Sequence, residues 1–144
     1  MSREKAMEAE DPSYYFYILI FKETQSMKLK IMNEYLTIEV KSLGAELCSI
    51  RSNSDDIEYL WQADSNYWGR SAPVLFPIVG KLANNQYTYD NQSYNLTQHG
   101  FARDMEFDLS VAAPDKITGI LKSNQASQRH YPFQFELQID YKLN

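Results

Sequence analysis

The sequence predicts an all-β fold, an antiparallel β-sandwich or part of one, and three observations carry that prediction. Over residues 133–143, apolar Phe133, Phe135, Leu137, Ile139, Tyr141 and Leu143 alternate without exception with polar residues. A period of two is the signature of a strand with one buried face. The 11 Tyr and 7 Phe of the 144-residue chain favour a pleated, half-buried surface over helices. Short turn signals, Asn33-Glu34, Asp90-Asn91 and Ala113-Pro114-Asp115, separate the apolar runs as hairpin connections do.

The elements follow in order. Residues 28–32 and 35–40 flank Asn33-Glu34 and read as a hairpin. Ser42-Leu43-Gly44 breaks the run, 45–50 resumes it, and 57–61 is a further short strand. Asp64-Ser65-Asn66 can cap a single helical turn that carries Tyr67 and Trp68. Pro73 and Pro77 make residues 72–80 extended and exclude a helix there. Residues 86–89 and 92–96 flank Asp90-Asn91 as a second hairpin, and 105–111 and 116–122 are two more strands. The final alternating strand has no mate after it in the sequence. We assign residues 27–144 to one domain. Residues 1–26 are read as an extension outside it, because Met27 opens M-K-L-K-I, a natural first strand.

Composition excludes several classes of function. The net charge is −5 with no Lys/Arg-rich block, so a nucleic-acid partner is not expected. The apolar run at 14–21 is too short to span about 30 Å of hydrocarbon, and no small-residue cleavage site follows it. No membrane association is expected. The one cysteine, Cys48, lies in the apolar run A-E-L-C-S-I and reads as a buried small hydrophobe. It offers no intramolecular disulfide, which fits a reducing, cytoplasmic compartment. No metal-ligand spacing and no phosphate-binding glycine loop occurs, and no cofactor is expected.

The residues suited to chemistry concentrate between Trp68 and Asp104. His99 lies in Q-H-G-F, where the following glycine allows a tight turn and the imidazole can exchange hydrogen bonds with a sugar oxygen. Arg70 in W-G-R-S and Arg103 in F-A-R-D present planar forks suited to vicinal hydroxyls, carboxylate or phosphate. Lys81 is a third candidate donor. Trp68, Phe101 and Trp61 can supply an apolar wall for the C–H face of a sugar ring. The plainer readings are a satisfied loop histidine, surface cations with Arg103 simply paired to Asp104, and, for Trp61, a core residue. His130, in R-H-Y-P-F just before the last strand, reads as an exposed loop residue.

Taken together, W-x-x-R-S-A-P-V-L-F-P-I-V-G-K-L, Y-x-Y-D-N-x-x-Y, Q-H-G-F-A-R-D and Y-P-F-x-F-x-L resemble the aldose 1-epimerase (galactose mutarotase-like) family, nearest its bacterial lactose-operon branch. The resemblance covers residues 27–144 and implies the N-terminal half of a large β-sandwich. It implies interconversion of the α and β anomers of an aldose by acid–base catalysis, without a cofactor. It makes His99 the first of the family's active-site histidines. Arg70 and Arg103 fall where a hexose-phosphate branch holds an anionic group, and Lys81 where an arginine often contacts sugar hydroxyls. Phe101 and Trp68 join these as substrate-binding residues. The second histidine, a general acid, and the glutamate base are expected beyond residue 144. Two other readings stand beside mutarotation: a non-catalytic sugar-binding module, and a truncated, non-functional fragment of a broken reading frame. The partner expected is a small-molecule sugar, an aldose or hexose phosphate, with a homodimer able to form through the exposed terminal strand.

Overall fold

Turn chemistry closes both expected hairpins in the computed structural model of the chain, which describes residues 26–144. The expectation for residues 1–26 therefore falls, but for Ser26, outside the described residues. Strands β1 (Lys28–Met32) and β2 (Leu36–Lys41) pair antiparallel. The carboxamide oxygen of Asn33 accepts from the N–H groups of Tyr35 and Leu36 at 2.9 and 2.8 Å, an Asx turn. Strands β4 (Gln86–Tyr89) and β5 (Gln92–Asn95) join through Asp90 and Asn91 at φ 49° and 58°. Two successive left-handed residues make the type I′ turn that matches strand twist.

Strand β3 (Glu46–Ser52) adds to β2, and β6 (Asp108–Ala113), β7 (Lys116–Lys122) and β8 (Glu136–Lys142) form a second antiparallel sheet in that order. Strand β1 approaches β6 and β7. Inner residues from the two sheets share one core: Ile31, Ile38 and Val40 from the first, Leu109, Ile117 and Leu121 from the second, with Ala45, Ala102, Phe107 and Leu143 from the joints. Burying each large side chain contributes about 1.5–3 kcal/mol. The Tyr141 hydroxyl ties β8 to the start of β3 by donating to the Ala45 carbonyl at 2.8 Å.

Four segments depart from the sequence reading. Residues 57–61 form no strand, only an isolated bridge between Glu58 and Arg51. The Glu58 carboxylate itself takes the N–H groups of Ile50 and Leu60 at 2.8 and 3.0 Å, so a side chain occupies donors that a regular ladder would use. Strand β6 starts at Asp108 rather than 105, because residues 105–107 pair with the 42–44 break. Gly44 N–H donates to Met105 O at 2.8 Å and Phe107 N–H to Ser42 O at 2.9 Å. Strand β8 starts at Glu136 rather than 133, since Phe133 and Phe135 are drawn into an aromatic cluster with Tyr89, Tyr131, Phe76 and Phe101. Its outward and inward residues then alternate as expected. A short helix α1 (Gln125–Gln128), absent from the sequence reading, is closed by a reciprocal capping box between Asn124 and Ser127.

Candidate functional site

Two loops remote in sequence are sewn together by backbone. The segment 68–80 carries a cis Phe76–Pro77 bond, and the Phe76 carbonyl accepts from Phe101 and Ala102 N–H at 2.9 and 3.2 Å. Gly100, at φ 73°, is what lets the loops meet. A Cβ there would overlap the Phe76 carbonyl and lie 2.6 Å from Pro77 Cδ, so no other residue fits without displacement. His99 precedes it at φ 67°, a conformation sparsely populated outside glycine.

Two hydrogen bonds hold His99 to the first loop. Its N–H donates to Gly80 O at 2.8 Å, and Gly80 N–H donates to its Nδ1 at 3.0 Å. The Gln98 side-chain nitrogen lies 3.1 Å from Nε2. One turn on, the 3-10 helix Ala102–Asp104 sets Arg103 and Asp104 side by side. Arg103 Nη2 donates to Gln98 O at 3.0 Å. Arg70 donates to the Arg103 carbonyl at 3.2 Å and pairs with Asp104 Oδ1, while Arg103 Nε stands 3.6 Å from Asp104 Oδ2. Two guanidinium groups thus share one carboxylate, and the cluster keeps a net positive charge.

A residue the sequence reading passed over holds the Arg70 segment. Glu46, 1% exposed at the start of β3, accepts the Ser71 and Ala72 N–H groups on Oε1 at 2.6 and 2.9 Å. Its Oε2 lies 2.7 Å from Lys41 Nζ. A buried carboxylate is costly unless paired and hydrogen-bonded, and here both conditions are met. The available signal was a lone carboxylate within the apolar run 45–50. Cys48, two residues on, is half-buried rather than sealed. Its thiol donates to Glu39 O at 3.4 Å, and burial pushes its pKa up.

The outcome is a cleft of about 460 Å³ lined by Trp68, Pro73, Leu75, Gln98, His99 and Arg103. One wall is apolar, and the other carries hydrogen-bonding groups. Trp68 is 51% exposed. Trp61, 43% exposed rather than core, donates its indole N–H to Trp68 O at 2.8 Å and so braces it. Of the residues singled out from sequence, the structure gathers Trp68, His99 and Arg103 around the cleft, with Arg70 behind Arg103. Lys81 is exposed and does not line the cleft. The Phe101 ring stands outside it, with centroids 6.0, 6.4 and 5.9 Å from Phe76, Tyr131 and Phe135. Exposed His130 sits at a separate hollow of about 140 Å³, its Nδ1 3.0 Å from Asn95 O. Among the described residues no group of His, Cys, Asp and Glu could hold a metal ion. The cleft chemistry suits a ligand with an apolar face and oxygen-rich edges, and its charge tolerates an anionic substituent.

Comparison with known proteins follows the same lines. The family model described as aldose 1-epimerase matches residues 27–144. Protein LacX of Lactococcus lactis subsp. lactis, in its plasmid and chromosomal forms, is 42% identical over 123 residues, covering 82% of this chain and 41% of the relative. A galactose mutarotase related enzyme from Lactobacillus acidophilus superposes with a TM-score of 0.80 at 43% identity, over 82% of this chain and 39% of that one. A galactose mutarotase-like protein from Lactobacillus casei ATCC 334 gives 0.78 at 35% identity, over 82% and 40%. The chain spans about two fifths of the length of these relatives.

Proposed function

This chain belongs to the aldose 1-epimerase family, and we propose that its cleft binds an aldose as part of exchanging the sugar's α and β anomers. One observation carries the reading: Trp68, His99 and Arg103, 35 residues apart at the extremes of the sequence motifs, line one cleft. The indole takes the C–H face of the ring. His99 and the Arg70–Arg103 pair hold its oxygens, and the net positive charge admits a hexose phosphate as well as a neutral aldose. Lys81 and Phe101, which the resemblance also assigns to substrate, act at the rim or through the loop in this reading. The domain is residues 27–144, the N-terminal half of a sandwich, and residues 1–26 lie outside it.

Anomer exchange needs a base at the anomeric hydroxyl and an acid at the ring oxygen. The resemblance assigns those groups to a second histidine and a glutamate in the part of the relatives that this chain does not span. A second reading, sugar binding without exchange, is favoured by the lining itself, which holds one histidine and no carboxylate. NMR of the purified chain with glucose, galactose and glucose 6-phosphate separates the two. Exchange above the buffer rate supports mutarotation, and saturable binding without exchange supports the binding module. His99→Ala is expected to weaken sugar binding at least tenfold, about 1.4 kcal/mol. An unchanged affinity in a folded variant would count against the site.

No described helix is long and apolar enough to cross a membrane, and we place the protein in the cytoplasm on its single cysteine. Strand β8 is the outer strand of its sheet, and pairing of two copies along it is part of the proposal. A monomer by sedimentation at high concentration would remove that part.

A further inference from the structure

The histidine at the cleft is held by a main-chain group of fixed polarity. A backbone N–H can only donate, so the Nδ1 that receives Gly80 N–H at 3.0 Å presents a lone pair and no proton. A neutral imidazole carries one N–H, which places the proton on Nε2. The return bond from His99 N–H to Gly80 O at 2.8 Å closes a two-bond ring that holds the histidine backbone and imidazole to the same residue. We infer that Gly80 is a positioning residue that locks His99 as the Nε2–H tautomer, so that the cleft meets a hydrogen-bond donor and the ligand atom opposite is an accepting oxygen. The inference deepens the reading of the cleft as a sugar site and rests on it for the ligand's class.

One neighbour has to adjust to a donor at Nε2. The Gln98 side-chain nitrogen stands 3.1 Å from His99 Nε2; an Nε2–H calls for the carboxamide turned end for end, its oxygen toward the ring, an exchange of two nearly isosteric ends. In a bound sugar, a ring or hydroxyl oxygen takes that place. His99 in its resting state therefore offers a proton and does not remove one. Gly80 can make this contact because its backbone sits at φ 94°, where side-chain-bearing residues are strained. His130 is a built-in reference. Its Nδ1 faces a carbonyl, Asn95 O at 3.0 Å, which can only accept, so its proton sits on Nδ1. One chain thus holds its two histidines in opposite tautomers.

The test is a long-range 1H–15N correlation spectrum of the imidazoles at about pH 8, above the ordinary histidine range. His99 should appear as Nε2–H and His130 as Nδ1–H. Gly80→Ala places a Cβ with nothing within 4 Å, so it alters backbone preference without a clash. It should move His99 toward a mixture and leave His130 unchanged. Should that variant fail to fold, the unsubstituted chain decides, through a scalar coupling across the hydrogen bond from the Gly80 amide nitrogen to Nδ1. A proton on Nδ1 of His99, no such coupling, or an unmoved His99 in folded Gly80→Ala would overturn the lock. Galactose added to the same sample should shift the Nε2 proton. An unmoved Nε2 proton beside an intact coupling sinks the sugar reading and the ligand class, and leaves the lock itself standing.

Discussion

His99 and His130 are both anchored through Nδ1 to the main chain, and they differ in the polarity of the anchor. An amide N–H of Gly80 leaves His99 with a proton on the ring nitrogen beside the cleft. A carbonyl of Asn95 leaves His130 with a bare acceptor at an exposed hollow among Leu96, Thr97 and Phe101. Their surroundings differ as well. Arg103 and Gln98 line the cleft with His99, and Asp104 pairs with both Arg70 and Arg103. Behind His130 stands the hydroxyl of Tyr87, which donates to its carbonyl at 2.9 Å. A histidine's chemistry is thus set by which backbone group the fold aims at it, and residue type alone does not distinguish the two.

The comparison can be broken most severely at Gly100. Gly100→Ala sets a Cβ against the Phe76 carbonyl in a left-handed turn and should lower stability by about 3–4 kcal/mol, read by denaturant unfolding. It should also scatter His99 while His130 keeps its environment. Next comes Glu46→Ala, which leaves the Ser71 and Ala72 N–H groups and Lys41 without their shared carboxylate. A loss of about 2–3 kcal/mol is expected, with weaker sugar binding because Arg70 loses its support. On the other side, Asn124→Ala removes the cap of α1, the helix that leads into His130. It should cost about 1 kcal/mol and leave the cleft's affinity untouched. Loss of affinity there would show that the two regions are coupled.

The smallest effect is expected from pH, and it keeps carboxylate titration apart from both histidines. Asp140 on β8 is held at about 2 by Lys116 first, then by Thr118 and Gln138. Its folded pKa lies below the ordinary value of 3.8. Its contribution is therefore present above about pH 4 and is lost as pH falls toward about 2. The acid limb of thermal stability should flatten in that window in Asp140→Asn. An unchanged slope would mean that another carboxylate governs it.

The strands were legible from residues 28–32, 86–89 and 116–122, where alternation and turn residues agree with the observed bounds. They were misread where a side chain or a remote loop took the backbone's donors. Glu58 satisfies Ile50 and Leu60 in place of a ladder, and the 42–44 break captures residues 105–107. The candidate site was half legible. Clustered motifs pointed to His99, Arg70 and Arg103. A lone carboxylate in an apolar run marked Glu46 without giving its role, and nothing local gave that of Gly80, because both roles are contacts across 25 and 19 positions.

By itself, then, the sequence determined the all-β class, the turns and the family, because period, turn conformation and motif order are local properties written in neighbouring residues. Only the tertiary structure decided that Trp68 and Arg103 share a cleft while Phe101 turns to the aromatic cluster. It alone aimed an N–H at one histidine and a carbonyl at the other. Hydrogen-bond polarity depends on which backbone atom arrives from a distant loop, and spacing along the chain does not encode it.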